Sequence, residues 1–260
     1  FIVLAIFAGQ VMALYETDDL SLVKQTSFSD AFVFMGSAVL ALLLLSTFSL
    51  KTRHVNSATK KQVTSIKNKL LELRFLIFFS AGILLQISFG PFYGFFALFL
   101  RDLDYPGFAV GLFISLGVLA EIVVFIFASN FFRHFSLKTI LLFSLAITAL
   151  RWFLVAVYAD SAWVLAFTQL IHAASFALFH SASMIFISNH FSACQQSRGQ
   201  AIYLGGVYGV GGAIGAYLAG VLWLNGTGAT TAFLTASVAA LLAAFLMFFL
   251  PRETVNKKPS

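Results

Sequence analysis

Seven apolar stretches, each about 20 residues or longer, restrict what this chain can fold into more than any other feature of its sequence. They lie near residues 31–50, 75–100, 108–130, 139–158, 162–188, 200–224 and 229–250. A helix needs about 20 mainly apolar residues to cross the hydrocarbon core of a membrane. Only 10% of the residues are charged, against about 25% in soluble domains. The sequence therefore predicts an all-α integral membrane protein with seven complete spans.

A shorter apolar stretch, residues 1–14, precedes these seven. It opens on Phe1, with no initiator Met and no charged leading region. A signal peptide is the alternative interpretation. We expect the stretch to be the end of a helix that begins before Phe1.

The basic residues are sorted into alternate connections, and this sorting predicts the topology. Segment 51–74 is strongly basic, Arg133, Lys138 and Arg198 follow in later alternate connections, and the tail is basic again. The other connections are mainly acidic. By the positive-inside rule, the basic connections and the C-terminus face the cytoplasm. The net charge of +6 is thereby explained without nucleic-acid binding.

The long connection 51–74 also predicts the domain organisation. We expect a remnant of an N-terminal bundle over 1–50, a basic cytoplasmic linker over 51–74, a six-helix bundle over 75–250 and a cytoplasmic tail over 251–260. Within the linker, apolar residues recur at helical spacing opposite lysines. This pattern predicts either an amphipathic helix on the inner leaflet or a solvated leader of the next span.

Three ionisable residues, Glu121, Arg151 and His172, lie deep inside three successive apolar stretches. Such groups normally face one another or a wet cavity, because a charge at the centre of a membrane helix costs roughly 2.5 to 3.5 kcal/mol. Counted by helix rise, they lie in one layer roughly 10 to 20 Å below the outer face. The set is sensitive to protons, since histidine titrates near neutrality, and it predicts proton-coupled transport. A purely structural Glu121–Arg151 ion pair is the alternative.

Further polar residues predict a cavity beside this layer. Gln169, His172, Phe176 and His180 share one helix face, and Gln86 and Tyr93 share another with Gly90-Pro91 between them. We expect Gly90 and Pro91 to kink or open that helix. Candidate substrate-binding residues are Gln86, Tyr93, Gln169, His180 and Trp152. Interhelical hydrogen bonding is the alternative role for the glutamines, and helix bridging or solvation for His180.

The glycines of the stretch 200–224 predict a packing and hinge element. Gly205, Gly209, Gly211 and Gly215 follow the small-xxx-small spacing that lets two membrane helices approach. A phosphate loop is a poor interpretation, because no strand precedes the glycines. Protease and hydrolase motifs are absent from the sequence and the one cysteine is Cys194, so we predict no enzyme activity, no metal site and no cofactor.

At these residues the chain resembles a known family. The stretches GLFISLGVLAEIVVFIFASNFF (111–132), ALRWFLV (149–155) and QLIHAASFALFHSASMIFI (169–187) are similar to the phenylpropionate permease family of the major facilitator superfamily. The resemblance covers about 75–250. It implies a truncated major facilitator fold with the end of helix 5, helix 6 and a complete C-terminal six-helix bundle. It also implies proton and substrate coupling through Glu121, Arg151 and His172, as in the related lactose permease-like symporters.

One departure from the lactose permease pattern concerns the proton site. That group has a second carboxylate one turn after its histidine, where this chain has Ser175. Glu121 is then the carboxylate left to bind the coupling proton.

The sequence as a whole predicts a secondary active transporter that takes up a small organic solute with protons by alternating access. We expect the solute to be an aromatic carboxylate of the phenylpropionate type, and the full-length protein to act as a monomer in the lipid bilayer. The alternatives are a sugar or nucleoside proton symporter, a drug exporter of the same superfamily, and a non-transporting scaffold or receptor-like relative.

Overall fold

The computed structural model describes residues 65–251, and the regular structure within that range is entirely helical. The α-helices in chain order are α1 (Ile66–Leu70), α2 (Leu73–Ser88), α3 (Gly90–Asp102), α4 (Gly107–His134), α5 (Leu137–Tyr158), α6 (Ala162–Ala173), α7 (Phe179–His190), α8 (Gln196–Tyr203), α9 (Gly212–Trp223) and α10 (Ala229–Phe248). Two π-helical segments, Ala174–Leu178 and Leu204–Gly211, join α6 to α7 and α8 to α9.

These helices form six candidate membrane spans. By length and composition the spans are Leu73–Asp102, Gly107–His134, Leu137–Tyr158, Ala162–His190, Gln196–Gly226 and Ala229–Phe248. The six spans predicted between residues 75 and 250 are therefore confirmed. The predicted span 31–50 and the apolar stretch 1–14 lie outside the described residues.

Local sequence signals set several of the boundaries. Ser136 caps α5, because its Oγ accepts a hydrogen bond from the Thr139 N–H at 3.1 Å. Pro106 precedes α4 with extended backbone. The turn after α9 takes positive φ angles at Leu224, Asn225 and Gly226, and it reverses the chain into α10.

The spans pack as a bundle around α5 and α10. Helix α10 lies along α5 and α2, α6 lies along α4 and α5, and α9 lies along α3. A buried hydrogen bond from Ser237 Oγ to the Ala149 carbonyl oxygen, 2.8 Å long, ties α10 to α5. This arrangement places α6 against both α4 and α5, with the first span close by.

Contacts between connections confirm that successive spans alternate in direction. At one end of the bundle, Lys138 Nζ donates to the carbonyl oxygens of Phe248 and Leu250 at 2.6 and 2.7 Å. At the other end, Tyr105 Oη donates to the carbonyl oxygens of Ala159 and Asp160, each at 3.0 Å. The orientation of these ends relative to the cytoplasm stays a prediction.

Part of the predicted linker lies within the described residues. Ile66 and Leu70 of the short helix α1 pack against the apolar core. Lys69, within α1, forms an ion pair at 2.8 Å with Glu72, just beyond it, and a ring nitrogen of His190 lies 2.8 Å from the Lys69 carbonyl oxygen. The end of the fourth span thus contacts the start of the first. Residues 51–64 of the linker lie outside the described residues.

Candidate functional site

Glu121, Arg151 and His172 are all buried within the bundle. Their exposed fractions are 6%, 0% and 5%. Glu121 lies in the middle of α4, Arg151 in α5 and His172 near the end of α6. The structure thus buries all three residues that the sequence predicts to lie in one layer.

Glu121 and His172 form a direct contact. The Glu121 Oε1 and His172 Nε2 atoms are 2.6 Å apart. The other ring nitrogen of His172, Nδ1, is buried and has no hydrogen-bond partner among the described residues. The close contact lets the carboxyl group and the imidazole share a proton across one hydrogen bond.

Arg151 is held by α6 and not by an acidic side chain. Its Nε donates to the Thr168 carbonyl oxygen at 3.0 Å, and its Nη2 lies 3.5 Å from Gln169 Oε1. Within residues 65–251, no acidic side chain lies within 4 Å of its guanidinium nitrogens. Its Nη1 is buried without a hydrogen-bond partner in the same part of the chain. Glu121 and Arg151 are thus not paired in this structure.

Aromatic rings surround the guanidinium. The Arg151 Cζ atom is 4.1 Å from the ring of Trp152 and 4.3 Å from that of Phe92, while Phe89 is 6.0 Å away. A cation over a desolvated aromatic face gains about 2 kcal/mol or more. These rings therefore supply part of the stabilisation that an acidic partner would otherwise provide.

The first span is interrupted at this level, as the Gly90-Pro91 pair predicts. Helix α2 ends at Ser88 and α3 begins at Gly90, with Pro91 in the first turn of α3. Phe89 lies at the break and is 1% exposed. Trp152, fully buried, donates from Nε1 to Ser88 Oγ at 3.1 Å. The break is thus fixed to the residue next to Arg151.

The other predicted substrate residues occupy different surroundings. Gln86 is largely buried and packs against Gly211 in the fifth span. Gln169 contacts Arg151 through Oε1 and donates from Nε2 to Thr168 Oγ1 at 3.3 Å. Tyr93 is 54% exposed and stacks on Phe89. Gln169 thus lies beside Arg151, whereas Tyr93 lies at the exposed surface of the bundle.

His180 contacts the fifth span. Its Nδ1 lies 2.9 Å from the hydroxyl oxygen of Tyr208, in the second π-helical segment. The rings of His172, Phe176 and His180 stack in sequence, with centroids 6.0 and 6.1 Å apart. The predicted shared face of this span therefore exists as a continuous column of rings that begins at His172.

The predicted glycine contacts divide into two groups. A Cβ atom added to Gly90 would lie 2.1 Å from the Gly215 carbonyl oxygen, and one on Gly211 would lie 3.2 Å from Gln86 Cβ. Among residues 65–251, an added Cβ at Gly205 would meet no atom within 4 Å, and one at Gly209 would reach only Leu204 of its own segment. Gly206 faces the first span instead, where an added Cβ would meet the ring of Phe79.

Sequence reasoning missed three residues of this site. A Cβ at Gly117 would lie 3.3 Å from Gln169 Oε1 and 3.4 Å from His172 Cδ2. Gly117 precedes Glu121 by one helical turn, a spacing that signals a shared face. The others are Thr168, whose carbonyl oxygen accepts from Arg151, and Phe92, which no pattern distinguishes among 32 phenylalanines. Among residues 65–251, no group of three His, Cys, Asp or Glu is arranged to hold a metal ion.

Comparison with known proteins gives a consistent result. The sequence model of the MFS_1 like family matches residues 1–235. The chain is 31% identical over 146 residues, 56% of its length, to a probable 3-phenylpropionic acid transporter of Escherichia coli strain K12. It is 26% identical over 204 residues, 70% of its length, to a xanthosine permease of the same organism.

A solved structure is similar as well. The crystal structure of a nucleoside transporter, NupG, aligns with 95% of this chain at a TM-score of 0.67 and 20% identity, and the chain covers 65% of that protein. The chain covers 38% of the phenylpropionic acid transporter and 48% of the xanthosine permease. It thus spans less than half the length of the curated relatives that it matches.

Proposed function

Because the chain belongs to the MFS_1 like family, we propose that it forms part of a secondary active transporter that takes up a small organic solute together with protons. The observation that carries this proposal is the buried contact between Glu121 and His172, 2.6 Å long. A buried carboxyl–imidazole pair in a membrane helix bundle has a high energetic cost and is typical of proton pathways. The protein works by alternating access in a bacterial inner membrane, with its C-terminus in the cytoplasm.

Glu121 carries the coupling proton and His172 is its partner. Arg151 lies one helix away with one unpartnered nitrogen, Nη1. That nitrogen is available to a carboxylate, either that of Glu121 after it loses its proton or that of the solute. Gln169 holds Arg151 in place through Oε1. In this scheme the deprotonated carboxylate of Glu121 and the carboxylate of the solute compete for the guanidinium of Arg151. This competition couples proton movement to solute movement.

The solute that this site favours is an aromatic carboxylate. The free donor of Arg151 matches the carboxylate, and the rings of Phe89, Phe92 and Trp152 around it match an aromatic group. The probable 3-phenylpropionic acid transporter among the relatives supports this assignment. A nucleoside or xanthosine is the second candidate, supported by the other two relatives and by the capacity of the same rings to stack on a base.

Glu121→Gln in the complete protein tests the coupling. The glutamine keeps the shape but cannot carry a proton, so accumulation of 3-phenylpropionic acid driven by a proton gradient should be lost. Exchange of labelled for unlabelled solute across the membrane should remain, because it needs no net proton movement. Both are measured in proteoliposomes, with xanthosine as the second solute.

The matched control is Glu72→Gln, which removes an exposed carboxylate at the end of the bundle. It should leave both accumulation and exchange at the level of the unaltered protein. Full accumulation by Glu121→Gln would overturn the assignment of the coupling proton. Transport of xanthosine but not of 3-phenylpropionic acid would replace the first solute by the second.

A further inference from the structure

The ring of Phe89 contacts both an exposed ring of the bundle and a ring beside its buried cation. Tyr93 is 54% exposed and stacks on Phe89 with ring centroids 5.5 Å apart. Phe89, itself 1% exposed, meets the ring of Trp152 edge-on at 5.2 Å, and both Trp152 and Arg151 are 0% exposed. Tyr93, Phe89 and Trp152 thus form a chain of ring contacts from an exposed side chain to the residue next to Arg151.

The same ring reaches every part of the site. Its centroid lies 5.9 Å from that of His172, 6.3 Å from that of Phe176 and 6.0 Å from Arg151 Cζ. These are the distances at which aromatic rings and cations attract one another. An aromatic solute bound against Arg151 would contact these same groups. In this structure the ring of Phe89 occupies the position among them.

The backbone on both sides of Phe89 is held in place. Ser88 is fixed by the hydrogen bond from Trp152. Gly90 is in backbone contact with Gly215, since an added Cβ would lie 2.1 Å from the Gly215 carbonyl oxygen. These two contacts restrain the backbone beside Phe89, so rotation of its side chain moves the ring with less change to the span than a bend would. Rotation between staggered rotamers is the cheaper of these two motions.

The buried cation gives the ring a reason to move. Arg151 Nη1 is buried and has no hydrogen-bond partner among residues 65–251. A buried donor without a partner is energetically unfavourable, and an unpartnered nitrogen of a cation more so. An anion that displaces the ring would supply the missing partner.

We propose that Phe89 is a side-chain plug of the central site, and that the aromatic ring of the solute takes its place between Tyr93 and Trp152 while the solute carboxylate binds Arg151. The substrate part of this inference rests on the proposed function. It assigns to Phe89 a role in substrate selection, through its displacement by a ring of similar size.

Phe89→Leu in the complete protein tests the plug. A site that is open for only a fraction of the time has its apparent affinity reduced by that fraction. Removing the ring should therefore lower the KM for 3-phenylpropionic acid by about three- to ten-fold. The KM for butyrate, a carboxylate without a ring, should change less than two-fold. Both are measured as uptake into proteoliposomes.

The control is Phe78→Leu, which removes a ring of the same span that is also fully buried and stacks on Phe186 with ring centroids 4.0 Å apart. This variant loses a buried ring, as Phe89→Leu does, but outside the site. It should therefore leave both KM values unchanged. A rise in the KM for 3-phenylpropionic acid in Phe89→Leu would make Phe89 a fixed wall of the site and overturn the plug. Equal changes in Phe89→Leu and Phe78→Leu would reduce its role to packing and also overturn it.

A second measurement does not depend on the solute. In a variant whose other tryptophans are phenylalanine, acrylamide should quench the fluorescence of Trp152 more strongly after Phe89→Leu or Phe89→Ala, and not after Phe78→Leu. Increased quenching without transport of any aromatic acid would keep the plug and refute the proposed solute. Unchanged quenching in both Phe89 variants would refute the plug even if aromatic acids are transported.

Discussion

Arg151 is tolerated in the membrane without an acidic neighbour because several weaker contacts replace the ion pair. One nitrogen donates to a backbone carbonyl oxygen of α6, a second lies near Gln169, and two rings lie within 4.3 Å. Charge-assisted hydrogen bonds contribute about 1.5 to 3 kcal/mol each. The combination offsets the cost of burial while it leaves Nη1 free, which an ion pair with Glu121 would not do.

Gly117 sets the distance between α4 and α6 at the proton site. A Cβ there would lie within 3.4 Å of both Gln169 and His172, so Gly117→Ala should push the two helices apart by a few tenths of an ångström and lengthen the Glu121–His172 contact. We expect the ratio of proton-driven accumulation to solute exchange to fall at least three-fold, as about 0.7 kcal/mol of lost coupling would produce.

Gly94→Ala is the matched control for this prediction, because an added Cβ at Gly94 meets no atom of residues 65–251 within 4 Å. It should leave the ratio of accumulation to exchange unchanged. If Gly117→Ala also leaves that ratio unchanged, close approach of the helices is not needed for coupling.

At the scale of single residues, the sequence predicted the charged layer but not its contacts. The cost of burying Glu121, Arg151 and His172 and their placement in one layer were enough to predict that they share a site. The partners of Arg151 were not predictable, because a backbone carbonyl oxygen leaves no trace in the sequence. Phe92 was indistinguishable from lipid-facing phenylalanines, because burial within a bundle depends on which face its neighbours cover.

Among the helices, the interrupted first span is the element that shapes the site, and its stability depends on a backbone contact. Gly90→Ala should force the first and fifth spans apart, because the added Cβ would lie 2.1 Å from a backbone oxygen that cannot rotate away. Overpacking of this kind costs about 1 to 3 kcal/mol. We expect a lower thermal midpoint in detergent, measured by the loss of monodisperse protein after heating.

Gly220→Ala is the control for this element, because an added Cβ at Gly220 meets no atom within 4 Å in the described part of the chain. Alanine is also the better helix former, so its thermal midpoint should stay equal or rise. A midpoint for Gly90→Ala as high as that of the unaltered protein would mean that the two spans adjust freely at this contact.

The helices and their order were predictable from apolar length, and the break from the Gly90-Pro91 pair. The two π-helical segments were not. A π-helical segment has no sequence signature of its own and persists where tertiary contacts favour it.

For the whole molecule, the comparisons confirm the predicted family resemblance, and the six described spans have the expected major facilitator arrangement. Membership was predictable because the three charged residues lie at unusual offsets in three spans. The complete protein's solute was not, since relatives with different solutes match this chain.

The orientation of the whole molecule can be tested with its own cysteine. Cys194 is exposed in the connection before α8, which the positive-inside rule places in the cytoplasm. A membrane-impermeant maleimide added to intact cells should leave Cys194 unlabelled, while inside-out vesicles should be labelled. Asn225→Cys lies at the opposite end of the fifth span, Gln196–Gly226. Once Cys194 is replaced by serine, this cysteine should show the reverse labelling pattern. Labelling of Cys194 in intact cells would invert the topology.

The contact between Arg151 and Thr168 also bears on how the protein is made. The cation lies in one span and the oxygen that satisfies its Nε lies in the next, with only residues 159–161 between the two helices. A span that carries an unsatisfied guanidinium enters lipid poorly on its own. We therefore expect α5 and α6 to enter the membrane together as a helical hairpin. The Thr168 carbonyl oxygen of α6 then offsets part of the cost of inserting Arg151 of α5.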